Sequence, residues 1–74
     1  MSSLINRNVT VAGRRTSVRL EAAMWDALFE VAQGEQRTVN EICAMVDRSR
    51  KESTLTSGLR VYILRYFRRA ANRR

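Results

Sequence analysis

Alternation of period two runs through Arg15-Thr16-Ser17-Val18-Arg19-Leu20. Thr16, Val18 and Leu20 fall on one face of an extended chain, and Arg15, Ser17 and Arg19 on the other. Upstream, Val9-Thr10-Val11 alternates briefly before Gly13 interrupts. Either one long strand bends at Gly13, or residues 9–11 form a separate extended segment. Residues 1–12 show no sustained period and read as an N-terminal arm, with the folded domain spanning 13–74. Past Glu21 the period becomes helical. Trp25, Leu28, Phe29 and Ala32 recur at i, i+3, i+4 and i+7, which predicts a helix from about Ala22 to Gln33. Gly34 fits its C-terminal stop. Thr38-Val39-Asn40-Glu41 reads as a capping box opening a second helix, whose apolar positions are Val39, Ile42, Cys43 and Val46. A polar run, residues 48–53, follows as a linker. A third helix is expected over about 56–71, with Leu59, Tyr62, Ile63, Tyr66, Phe67 and Ala70 as a stripe and Val61 and Leu64 off it.

One strand and three short helices make a single, mainly α domain. A chain of 74 residues buries little surface by itself and usually needs a disulfide, a metal or a second copy. One cysteine excludes an internal disulfide, and with no histidine there is no plausible zinc site within one chain. Oligomerisation is the remaining device. The expected dimer core is Val18, Leu20, Trp25, Leu28, Ile42, Val46, Leu59, Tyr62, Ile63 and Tyr66. Cys43, on an apolar helix face, reads as a small core residue.

The net charge of +7 is unevenly placed. Residues 1–19 hold four arginines and no acid, residues 20–59 hold all seven acids, and residues 60–74 hold six arginines and no acid. Two basic ends around an acidic middle suit a polyanion. Thirteen of the 14 basic residues are arginine, the side chain best matched to bidentate contacts with bases and phosphates. No hydrolase triad, pair of catalytic carboxylates or phosphate-cradling glycine loop can be assembled, so neither enzymatic activity nor a cofactor is expected. No apolar run is long enough to span a membrane or form a signal-peptide core, and a cytoplasmic, nucleoid-associated protein is expected.

A strand with an apolar underside and a guanidinium-rich top is shaped for a DNA major groove, which admits a two-stranded ribbon. With Trp25, Gly34 and Arg37-Thr38-Val39-Asn40-Glu41-Ile42 behind it, the segment Gly13–Glu21 resembles the ribbon-helix-helix DNA-binding domain of the Arc/MetJ type. Adding Leu55–Leu64, the chain is similar to a small bacterial subgroup of that family with an extra C-terminal helix. The resemblance covers roughly residues 12–68. It departs from the common pattern in carrying Glu21 where many relatives have proline.

The resemblance implies an intertwined homodimer in which each N-terminal strand pairs antiparallel with its twin and the ribbon enters the major groove. A tetramer built on that dimer is a further expectation. Arg15, Ser17 and Arg19 would face base edges, although Asn8, Thr10 and Ala12 on the earlier alternating stretch compete for the deepest positions. The start of the second helix would clamp phosphate with the amides of Thr38, Val39 and Asn40, aided by Arg37. Arg14, Arg68 and Arg69 are further phosphate candidates. The implied function is sequence-specific duplex DNA binding by a transcriptional regulator or repressor. Rival readings use the same residues as a nucleoid organiser, or use the third helix as an antitoxin-type segment that docks a protein partner or as a membrane-surface helix. A small anionic effector is compatible with the arginine content, but no motif marks one.

Overall fold

The computed structural model describes residues 3–51 and 53–72. Two antiparallel strands, β1 (Leu4–Val11) and β2 (Arg14–Glu21), are followed by helices α1 (Ala22–Glu35), α2 (Val39–Ser49) and α3 (Leu55–Asn72). This is the expected mainly α, ribbon-helix-helix arrangement with a third helix.

A two-stranded ribbon, however, forms within one chain. The expectation was that β2 would pair with its twin across a dimer, with residues 1–12 a loose arm. Instead β2 pairs with β1, in a register running from Leu4 opposite Glu21 to Val11 opposite Arg14. Of the two upstream arrangements, the separate extended segment is present, and it reaches back to Leu4. The joint is a two-residue turn. Ala12 and Gly13 both have positive φ, 52° and 79°, the pattern of a type I′ hairpin turn whose twist matches that of the strands. Glycine accepts this conformation freely, whereas alanine pays for its Cβ.

The inner face of the ribbon packs on the helices through Val9, Val11, Val18 and Leu20. Beneath it lie Trp25, Leu28, Val31 and Ala32 from α1, Ile42, Cys43 and Val46 from α2, and Leu55, Leu59 and Ile63 from α3. The residues expected to form a dimer core are therefore covered inside a single chain, Tyr62 and Tyr66 partly so. β1 supplies the second strand, and α3 covers the open sides of α1 and α2. Phe29, expected in the core, is 42% exposed, and Val61 and Leu64 face outward as their off-stripe positions predict.

Local signals hold the elements in place. The capping box forms as expected: Glu41 N–H donates to Thr38 Oγ1 at 3.0 Å, and Thr38 N–H donates to Glu41 Oε1 at 2.7 Å. At the N-terminus of α3, Ser57 N–H donates to Thr54 Oγ1 at 3.1 Å. The end of α1 differs from expectation. Gly34 lies inside the helix, and the left-handed cap is Gln36, with φ 56°. Gly34 is there for close approach: a Cβ would collide with the Tyr66 hydroxyl on α3.

Two consequences are measurable. Asn-Gly suits a type I′ turn better than Ala-Gly, so Ala12→Asn should raise the unfolding free energy by roughly 0.5–1 kcal/mol in denaturant titration. A loss of stability would contradict the turn. Secondly, burial pushes the Cys43 thiol up to about 11 from 9.0. Burial, with the 2.6 Å hydrogen bond to Glu35 Oε1 second, pushes the Tyr62 phenol up to about 12 from 10.0. Both folded-state values lie above the unfolded ones, so the stability they contribute is full below pH 9 and falls as pH rises from 9 to 12. Cys43→Ala should flatten the lower part of that fall and Tyr62→Phe the upper part. An unfolding midpoint constant up to pH 11 would contradict this.

Candidate nucleic-acid interface

In antiparallel pairing, residues directly opposite share a face. The register thus divides the ribbon cleanly. Asn6 lies opposite Arg19, Asn8 opposite Ser17 and Thr10 opposite Arg15, and all six are exposed on the face turned away from the helices. The turn joins Val11 and Arg14 as a hydrogen-bonded pair, which makes these three outer pairs the non-hydrogen-bonded ones, with side chains closest together. Ser17 Oγ donates to Asn8 Oδ1 at 3.0 Å, coupling the central pair. Two guanidinium groups, two amides and two hydroxyls form a shallow array of donors and acceptors.

Sequence reasoning found Arg15, Ser17 and Arg19 and weighed Asn8 and Thr10, but it missed Asn6. Asn6 sits two residues from Asn8, the spacing that continues one face of a strand, but the strand was not recognised that far upstream. Arg14 is exposed beside the turn, and its register places it on the helix side of the ribbon rather than among the outer six.

The start of α2 lies against the outer edge of β1. Thr10 N–H, which points away from β2, donates to Asn40 Oδ1 at 3.0 Å. This edge would otherwise offer unpaired backbone groups to another chain. Val39 and Asn40 occupy the first two helical positions, whose amides have no carbonyl one turn back. The Thr38 amide, expected to be open, is taken by the Glu41 carboxylate. Among the described residues, the amides left without a partner at the start of α2 are therefore those of Val39 and Asn40. Arg37, exposed in the preceding turn, has its Nε 3.9 Å from Glu35 Oε1. Arg69, on α3, borders a cleft formed with Gly34, Glu35 and Tyr66, so it joins the Arg37 end of the molecule and not the ribbon face. Arg68 is exposed near the end of α3.

Among the described residues, no group of histidine, cysteine and acidic side chains is arranged to hold a metal. Among them too, no helix is long and apolar enough to cross a membrane.

The family model "Ribbon-helix-helix domain" matches residues 4–67. The chain belongs to the ribbon-helix-helix family. The match begins at the first residue of β1 and runs well into α3, so both elements that complete the single-chain core fall within it. Comparison with curated proteins and with solved structures returned no match. Family membership supports DNA binding or a regulatory role and gives no support to enzymatic activity.

The capping box that orients the Val39 and Asn40 amides is testable alone. Thr38→Ala removes the acceptor for Glu41 N–H and should cost about 1 kcal/mol of folding stability. Unchanged stability would contradict a formed capping box.

Proposed function

We propose that this ribbon-helix-helix protein binds duplex DNA sequence-specifically and acts as a bacterial transcriptional regulator, with the outer face of the β1–β2 ribbon as its reading surface. The observation that supports this most is the outer face itself. It carries six polar side chains in three successive cross-strand pairs, on a ribbon whose other face sends Val9, Val11, Val18 and Leu20 into the core. A two-stranded ribbon fits the major groove, arginine pairs bidentately with guanine, and asparagine pairs bidentately with adenine. Arg15, Ser17 and Arg19 from β2 and Asn6, Asn8 and Thr10 from β1 are the base-contacting set. Arg37 and the amides of Val39 and Asn40 contact phosphate beside the ribbon, and Arg68 and Arg69 add sequence-independent attraction.

Family members generally bind DNA as dimers, and we infer a dimer, or a tetramer built from two dimers, on DNA here too. Because the two strands of one ribbon differ in sequence, each copy reads an asymmetric half-site. A dimer then reads two copies of that element. The alternative in which α3 is a free segment awaiting a protein partner or a membrane fits less well, since Leu55, Leu59 and Ile63 are already buried against the chain's own helices.

Selection of bound sequences from a random duplex pool tests this reading. The expected outcome is an enriched asymmetric element, present once or repeated. Arg15→Ala and Arg19→Ala should each weaken binding to it by about 1–3 kcal/mol and relax the preference at one position per half-site. A pool that yields no element, or alanine variants that bind as the parent does, would contradict the reading.

A further inference from the structure

Arg7, like Arg14, stands on the side of the ribbon turned away from base reading. Arg7 lies opposite Val18, between Ile5 and Val9 on the inner face, yet it is exposed. Its guanidinium sits 5.6 Å from the centre of the Trp25 ring and 5.5 Å from that of Phe29. The two rings are stacked, 6.1 Å apart at an interplanar angle of 30°. Trp25 is held in turn by its Nε1–H, which donates to the Ile5 carbonyl at 2.9 Å. A cation over two aromatic faces is attracted by both ring quadrupoles and loses rotamer freedom before any ligand arrives. The arrangement also accounts for Phe29, a large aromatic side chain left on the surface of α1.

Arg7 and the two rings form one wall of a concavity of about 340 Å³. The same concavity is lined by Val39 and Asn40, the residues whose amides open α2. No carboxylate lines it. A pre-positioned guanidinium and the residues that carry the two open helix-start amides therefore line one space, beside the edge of β1.

We infer that Arg7, positioned by Trp25 and Phe29, is a DNA phosphate ligand that grips the backbone together with the α2 N-terminus. This rests on the ribbon being the DNA-reading surface: with the outer face in the major groove, the edge of β1 is turned toward a flanking strand. Arg7 supplies the charge that the helix amides lack, and Phe29 acts through Arg7 as a positioning residue. The arrangement assigns sequence reading to the six outer side chains and strand-anchoring to Arg7.

The test is duplex binding as a function of salt by the full chain and its variants. Each phosphate neutralised contributes about 0.9 to the slope of log affinity against log salt. Arg7→Ala and Arg7→Gln should lower the slope by about that amount per bound chain, weaken binding roughly tenfold at low salt as one charge-assisted contact is lost, and leave base preference intact. Arg7→Lys, which keeps the charge and the cation–π contact, should retain most of the slope. Phe29→Ala should reproduce part of the Arg7→Ala loss and add nothing to it in the double variant, because the two act as one unit. Emission from Trp25, the only tryptophan, should change on adding duplex and should not change with inorganic phosphate at the same ionic strength. A parent protein that binds no duplex would overturn the ribbon reading and this inference together. A parent that binds, with Arg7→Ala keeping the full slope or with additive Phe29 and Arg7 effects, would overturn this inference alone. A Trp25 response to inorganic phosphate alone would make the concavity a free-anion site and overturn the assignment to the DNA backbone.

Discussion

The register of β1 on β2 is the constraint on which the rest of the molecule depends. With side chains alternating every residue, this single alignment sends Val9, Val11, Val18 and Leu20 into the core and six polar side chains outward. A slip of one residue would invert both faces of the slipped strand at once. Two features near the hairpin turn hold the alignment. The two-residue turn at Ala12–Gly13 sets the pairing count, and the Asn40 contact to the Thr10 amide ties β1 to the start of α2. Core packing and the proposed DNA-facing surface are therefore opposite sides of one geometric decision.

Closing the ribbon inside one chain changes the problem of a 74-residue domain. The sequence suggests more apolar surface than one small chain can cover, which points to a second copy. Two elements resolve that imbalance locally. β1 pairs along one edge of β2, and α3 lays Leu55, Leu59 and Ile63 against α1 and α2. The contact between α1 and α3 is close enough that Gly34 leaves no room for a Cβ beneath Tyr66, and Arg60 Nη2 joins α3 to Glu21 Oε1 at the end of β2 at 2.9 Å.

Much of this was legible in the residues. Regular alternation identified β2, reciprocal Thr38 and Glu41 identified the start of α2, and a clean helical stripe identified α3. β1 was legible only at Val9–Val11, for a physical reason. Two positions upstream, the inner face carries Arg7 where a strand over a core normally carries an apolar residue, so the alternation seems to stop. Arg7 tolerates that place because its guanidinium rests on Trp25 and Phe29 at the solvent boundary. For the same reason Phe29, in phase with the core residues of α1, is not in the core. Gly34 misled in another way: a glycine near a helix end signals a stop, but this one serves packing, and Gln36 takes the left-handed cap two residues later. The outer reading set was half visible, because recognising Asn6 as its sixth member requires knowing that β1 pairs with β2.

The central claim is that both strands of one chain together form the DNA-contacting surface. Heteronuclear NMR of the labelled chain titrated with its selected duplex tests it most directly. The account predicts that the side-chain amides of Asn6 and Asn8 and the backbone signals of Thr10 shift in step with the Nε–H signals of Arg15 and Arg19 and the backbone of Ser17. Shifts confined to β2, with Asn6, Asn8 and Thr10 unmoved, would contradict it.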